Sequence, residues 1–323
     1  MKCKICGGKT HLYLKDLYDD RYGAPGLHAV YRCGSCGYGI TYPGIKKNQI
    51  GKFYARYYPL ASYSALDIKN LAKIPSKFAR WVKGLNHTCH WYIRKNKKVL
   101  DIGSGSGVSL LEIRKLGGIG FGIEPDPNAQ KIAKRLHLKV FPGFLTDNPF
   151  PGVKFDYVTA SQVIEHDPDP VDFLKVARQR LNKGGKIILS FPNIDSLYEI
   201  IFKEKWLNWH VPYHLSFMSK KSLQIAVDKA GLRIIKIRTI TPNLWTFLQL
   251  RMYLSPIEEG KPNPIWVSTK KMSTSKTADS YIKMSLMKKS LSLVIILLSI
   301  LNRIIDVIGQ GDSILVFLAN KYE

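Results

Sequence analysis

The stretch Lys98–Glu124 constrains this chain most. Lys98-Val99-Leu100-Asp101-Ile102 is a short apolar segment that runs into Gly103-Ser104-Gly105-Ser106-Gly107. An apolar period of three to four residues follows at Val108, Leu110, Leu111 and Ile113. Gly120-Phe121-Gly122-Ile123-Glu124 is then a second short apolar segment, and it ends in an acid. Strand, glycine turn, helix and strand make a βαβ unit, whose crossover sets the two strands parallel. Glycines in the first turn let the backbone approach a ligand, and a carboxylate at the end of the second strand can accept both hydroxyls of a ribose. Together these features predict a nucleoside-type cofactor, with a dinucleotide and S-adenosylmethionine as the two candidates.

Further segments repeat the alternation. Lys139–Phe141, Tyr157–Gln162 and Lys186–Phe191 read as strands separated by helical patterns, and Leu232–Ile240 and Ser313–Ala319 as two more. The expected fold is α/β, a doubly wound sheet covered by helices on both faces. A length of 323 residues leaves room for about one more module. The regions read as 1–45, a ribbon; 46–97, a helical linker or lid; 98–241, the cofactor-binding core; 242–310, an insertion; and 311–323, a last core strand. Apolar residues at Leu71, Ile74, Phe78, Val82 and Leu85 predict a helix over Lys69–Lys95. Tyr54, Tyr57, Tyr58 and Tyr63 read either as a ligand lid or as an apolar joint between ribbon and core.

Four of the five cysteines form two knuckles, Cys3-Lys-Ile-Cys6 and Cys33-Gly-Ser-Cys36, each followed by glycine. Two thiolates from one tight turn reach a common metal when the backbone curls back, which glycine permits. Cys3, Cys6, Cys33 and Cys36 therefore predict a structural Zn2+ ribbon, since four sulfur ligands leave no open position. Two disulfides or a redox dithiol are the rivals, but a redox CxxC sits in a βαβ unit and none surrounds these. The ribbon is expected to fold on its metal as an energetically separate module. Cys89, between His87 and His90, reads as a half-buried helix residue rather than a nucleophile.

VLDIGSGSG followed by GIEP resembles motif I and the acidic motif of the class I S-adenosylmethionine-dependent methyltransferases. Gln162-Val163-Ile164-Glu165-His166, Leu181-Asn182-Lys183-Gly184-Gly185, Phe191-Pro192-Asn193 and His210-x-x-Tyr213-His214-Leu215-Ser216-Phe217 are similar to the ubiquinone-biosynthesis-type subgroup (methyltransferase types 11 and 23). An N-terminal CxxC ribbon with a tyrosine-rich segment also recurs there. The resemblance implies a seven-stranded Rossmann-like methyltransferase sheet, its last strand inserted antiparallel, behind a small zinc ribbon; the stretch between Thr241 and Gly311, which that fold does not need, reads as a helical insertion before the last strand. It implies S-adenosyl-L-methionine as cofactor. Asp101 would lie near the methionine amino group, and Gly103, Ser104, Gly105 and Gly107 would admit the cofactor. Glu124 and Pro125 would meet the ribose, and backbone groups of Leu145 and Thr146 the adenine, because Phe144 stands where relatives carry an acid. Gln162 would sit closest to the methyl donor. His166 is the first candidate base, followed by His214 and His210, which come just after Trp206 and Trp209 in an expected substrate wall.

Charge narrows the partners. The 49 Lys and Arg against 24 Asp and Glu leave a net charge of +25, and residues 1–98 hold 19 basic against 4 acidic side chains. Such an excess favours anionic partners. No RGG, KH or RNP pattern accompanies it, so a small-molecule, glycan or lipid-linked acceptor is expected ahead of RNA. The start MKCKICGGKT has no apolar core of a secretory signal, which predicts a cytoplasmic location. Gly260–Ser280 reads as a mobile loop and Tyr281–Ile308 as a helix with the apolar run Leu291–Leu301. That helix is either buried or laid into an anionic membrane surface beside Lys283, Lys288 and Lys289, giving peripheral contact with the inner face.

Overall fold

A computed structural model describes residues 1–45, 47–57, 64–267 and 296–323. The chain starts with an antiparallel meander of β1 (Thr10–Leu17), β2 (His28–Cys33) and β3 (Gly39–Tyr42). Three helices follow, α1 (Lys47–Tyr57), α2 (Ala65–Leu71) and α3 (Lys77–Lys83). The single helix expected over Lys69–Lys95 is thus broken. Pro75 pushes its predecessor out of the helical region, Ser76 caps α3 through the Ala79 amide, and Gly84 ends it at φ +68°. Two 3-10 turns carry the chain on, Leu85–His87 and Cys89–Tyr92.

The core then alternates β4 (Lys98–Ile102), α4 (Val108–Lys115), β5 (Ile119–Glu124), α5 (Pro127–Arg135), β6 (Val140–Pro142), β7 (Phe155–Ser161), α6 (Pro170–Gln179), β8 (Leu181–Pro192), α7 (Leu197–Phe202), β9 (Ser216–Phe217), α8 (Lys220–Lys229) and β10 (Leu232–Ile240). The insertion holds α9 (Asn243–Leu254), α10 (Pro264–Val267) and α11 (residues 296–307) before β11 (Ser313–Asn320). Seven strands pair in the order β10-β11-β8-β7-β4-β5-β6, with β11 antiparallel to both neighbours. This is the α/β sheet expected. β6 lies one residue later than its sequence suggests, and β8 starts five residues earlier, at Leu181. β4 lies inside the sheet, between β7 and β5, with Val99, Leu100, Asp101 and Ile102 all buried, as a strand covered on both faces requires.

The ribbon is less separate than its spacing suggests. β3 pairs with β9, through Gly39 to Phe217 and Ile40 to Ser216, so a strand from the core completes the ribbon sheet. Cys3, Ile5, Cys36 and Tyr38 share one buried cluster with Leu189, Phe191 and Ile314 of the main sheet. Trp206 and Trp209 lie in a second buried cluster with Leu17 and Val30. Part of the expected mobile loop is likewise pinned: the Asn263 backbone amide donates to Arg21 O at 2.8 Å, and its side-chain amide to Asp20 O at 3.3 Å. The rest of that loop, the 281–295 part of the helix expected over Tyr281–Ile308 with its lysines, and Tyr58 and Tyr63 lie outside the described residues.

Candidate active site

A cavity of about 230 Å³ opens at the C-terminal ends of β4, β5 and β7. Gly103, Gly105, Glu124, Pro125, Leu145, Thr146, Gln162 and His166 line it. The glycine loop forms as the Gly103 and Ser104 amides both donate to Ile123 O, at 2.9 and 3.1 Å. Added Cβ atoms would meet Val163 Cγ2 at 2.6 Å from Gly103 and Leu138 Cδ1 at 2.2 Å from Gly107, so those two positions need close packing. At Gly105 an added Cβ would meet nothing within 4 Å; the cradle has space there for a ligand. Glu124 accepts the Gly105 amide on Oε2 and the Asp126 amide on Oε1, both at 2.8 Å, which fixes its carboxylate against the loop. Burial raises its pKa to about 7.

Three expected contacts lie off the cavity wall. Asp101 is buried beneath the loop and accepts Thr159 Oγ1 at 2.5 Å. Ser104 turns toward Gly122, where a Cβ would stand 2.4 Å from its Oγ, and Gly107 faces α5 and Leu138. Asp101 thus holds β4 to β7 and Gly107 starts α4, rather than touching the cavity. Cys89 is fully buried and donates to Ala160 O at 3.3 Å; burial pushes its thiol pKa up to about 12, which makes it inert.

The far wall is a cluster of titratable groups. After β7, Gln162 takes the left-handed conformation at φ +57°, and its side-chain amide donates to Ser190 Oγ and Ser313 Oγ at 3.2 and 3.1 Å. A 3-10 turn, Ile164–His166, then brings Glu165 and His166 round. His166 donates from Nδ1 to Tyr213 O at 2.9 Å, and His214 from Nδ1 to Asn208 O at 2.7 Å. A carbonyl only accepts, so both neutral rings carry their lone pair on Nε2. The His166 and His214 rings lie 4.8 Å apart, and those of His214 and His210 4.9 Å. Only His166 of the three lines the cavity; His214 and His210 stand behind it, buried.

Burial keeps the cluster neutral. It lowers the His166 pKa to about 4 and holds His210 and His214 well below the usual histidine range, with the Arg21 guanidinium adding to each effect. Burial raises the Glu165 pKa to about 8, and both its carboxyl oxygens lack a hydrogen-bond partner among the described residues. Donor atoms of Glu165, His166 and His214 lie within 4.8 Å of one another, close enough to meet on one ion.

Sequence reading missed several residues here. Arg21 and Tyr22 come from the ribbon loop after β1. The Arg21 guanidinium lies 4.4 Å over Trp266, and Tyr22 meets the His210 and Tyr213 rings edge-on at 5.7 and 5.6 Å. From α1, Ile50 lines the cavity and Phe53 lies 5.4 Å from Tyr213. Nothing in the local pattern marked Arg21 or Ile50. Glu165 was visible as the neighbour of His166, but its isolation depends on burial.

The four knuckle cysteines also converge. Cys3 and Cys36 sulfurs lie 3.6 Å apart and Cys6 and Cys33 sulfurs 3.5 Å, with all four within 4.8 Å of one another and no disulfide formed. A tetrahedral ion with bonds of about 2.3 Å separates its sulfurs by about 3.8 Å, so the set fits zinc.

Residues 74–237 match a family described as Methyltransferase domain. The chain is 28% identical over 137 residues to an uncharacterised protein of Methanocaldococcus jannaschii, covering 42% of this chain and 65% of that one. It is 31% identical over 174 residues to the ubiquinone biosynthesis O-methyltransferase of Idiomarina loihiensis, covering 49% and 69%. The chain therefore spans about two-thirds of the length of these relatives. A solved structure of Haemonchus contortus phosphoethanolamine N-methyltransferase 2 with S-adenosyl-L-methionine is similar in fold, with a TM-score of 0.50 at 16% identity over 88% of this chain and 61% of that one.

Proposed function

Because the chain belongs to the methyltransferase-domain family, we propose that it methylates a small-molecule, glycan or lipid-linked acceptor at a nucleophile brought to His166. One observation carries this reading: His166 shares a cavity with Gly105 and Glu124, so a base and a cofactor cradle face the same space. Gly103, Gly105, Glu124, Pro125, Leu145, Thr146 and Gln162 would hold S-adenosylmethionine, which supplies an electrophilic methyl group when bound. Glu124 offers a carboxylate already oriented by two amides. The neutral His166 ring, fixed by Tyr213 O, can take a proton on Nε2 from an acceptor hydroxyl. A hydroxyl acceptor accords with the O-methyl chemistry named for the Idiomarina relative. His214 acts through His166, packing against its ring, and His210 packs against His214 in turn. Zn2+ at Cys3, Cys6, Cys33 and Cys36 would hold the ribbon whose loop carries Arg21 and Tyr22 to this cluster.

The experiment is methyl transfer from labelled S-adenosylmethionine into polar-metabolite, lipid and RNA fractions of one lysate, alongside thermal shift with S-adenosylhomocysteine. Label in the metabolite or lipid fraction, lost in His166→Ala, supports the proposal. Label confined to RNA would move the acceptor to nucleic acid. Stabilisation by NAD and not by S-adenosylhomocysteine would overturn the methyltransferase reading.

A further inference from the structure

Two helices of the insertion are built inside out. In α11 the polar residues face the protein: Ser299, Asn302 and Arg303 are buried. Asn302 donates to Asn243 Oδ1 and Thr246 Oγ1, both at 3.0 Å, and accepts from Tyr198 Oη at 2.7 Å. Arg303 donates to Trp81 O and Thr241 O and pairs with Asp306 at 2.8 Å. The opposite face carries Leu297, Ile300, Leu301, Ile304, Val307 and Ile308, all exposed, with Val307 at 87%. Their spacing of three and four residues makes them one continuous stripe.

Its neighbour α9 repeats the inversion. Thr246 and Gln249 are buried, and Gln249 is bonded to the Leu207 amide and Lys205 O. Leu244, Phe247, Leu250 and Leu254 are exposed. Asn243 joins α9 to α11 through Ser299 and to α3 through Val82 O. On α3, Phe78 and Trp81 are exposed as well, their rings 6.3 Å apart. Two touching helices, α9 and α11, thus turn polar groups inward and large apolar side chains outward, the reverse of a water-facing surface, and α3 extends the outer face with its two aromatic rings.

Charge selects the occupant. The same helices carry Lys77, Arg80, Lys83 and Arg251, while the one acid among their described residues, Asp306, is paired with Arg303. A second copy of this face would set these cations against each other with no carboxylate to meet them. Anionic headgroups above an acyl layer satisfy both parts of the surface. Among the described residues no helix is long and apolar enough to cross a membrane, so the contact fits the interface plane.

We propose that α3, α9 and α11 form a docking surface for an anionic lipid bilayer. This rests on neither the cofactor nor the acceptor. The test is sedimentation with vesicles of phosphatidylcholine plus phosphatidylglycerol, against phosphatidylcholine alone. The protein should pellet with the anionic vesicles and lose that binding by about tenfold or more in Leu297→Glu/Ile304→Glu, with its melting temperature unchanged. Lys77→Glu/Lys83→Glu should abolish the preference for anionic vesicles. Val307→Ser, a milder change, should weaken binding in the same direction. The proposal falls if the wild-type chain does not pellet, or if the double glutamate variant still does. It also falls if that variant melts several degrees lower, because protein would then cover the face. A lipid-free dimer in sedimentation velocity that the glutamates dissolve would overturn it in favour of a second copy.

Discussion

The two walls of the cavity are made in different ways. The cofactor side is built around one continuous stretch, Gly103–Asp126, in which two backbone amides meet a single carboxylate, with Leu145 and Thr146 beside it. The opposite side gathers Arg21 from the ribbon, Phe53 from α1, Glu165 and His166 from the turn after β7, and His210, Tyr213 and His214 from the connection before β9. Burial keeps its three histidines and Glu165 neutral beside the charged Arg21, and Glu165 has no hydrogen-bond partner among the described residues. A wall built from neighbours in sequence is held by chain geometry. A wall built from distant segments is only as firm as the docking between them, and here that docking runs in part through the ribbon: Thr41 Oγ1 donates to His214 O at 2.6 Å, and Thr41 N to Leu215 O at 3.1 Å.

Breaking the ribbon should therefore strike the acceptor wall hardest. Structural zinc in small domains is worth on the order of 10 kcal/mol. Cys33→Ser should remove the metal and lower the melting temperature of the whole chain, because the knuckles share a core with the main sheet. Calorimetry and metal analysis check this. A variant that keeps the wild-type transition would make the ribbon an independent module after all.

Next in size is the proton acceptor. His166→Ala should slow methyl transfer by roughly 10²–10⁴-fold, the usual weight of a positioned base. Affinity for S-adenosylhomocysteine, measured by calorimetry, should change little. An equal loss in both would place His166 on the cofactor side and erase the distinction between the walls.

Glu124→Ala should weaken S-adenosylhomocysteine by about 1–3 kcal/mol through lost charge-assisted hydrogen bonds. The pH dependence sharpens the point. Burial lifts the Glu124 pKa to about 7, so the carboxyl is protonated below that pH and loses acceptor capacity. Affinity should rise with pH through about 7 and level off above it. Glu124→Gln should flatten that profile, whereas a pH-independent wild type would contradict the assigned role.

The smallest effect concerns Arg21, whose charge helps hold the three histidines neutral. Arg21→Met should let the His166 pKa rise toward its ordinary value, moving the acidic limb of the pH–rate profile upward. An unmoved limb would mean the ribbon loop positions the cluster without tuning it.

The sequence by itself determined the sheet, the glycine loop and Glu124, together with the cysteine pairs that converge in the ribbon. These follow from short-range rules: apolar period, glycine at positive φ, and a CxxC turn that aims two sulfurs at one point. The same rules misread Lys69–Lys95, where Pro75 and Gly84 outweighed a helical apolar period. The resemblance, not these rules, set Asp101 near the cofactor, and its side chain accepts Thr159 Oγ1 beneath the loop. What only the tertiary structure decided is which distant groups meet. The pairing of β3 with β9 carries the ribbon onto the core, and with it Arg21 and Tyr22 onto the histidines. Burial then set the protonation of Glu165 and His166, and the hydrogen bonds of Asn302 and Arg303 turned the apolar stripe of α11 outward. Each of these depends on what packs against a residue, and a chain pattern reports only which residues stand beside it.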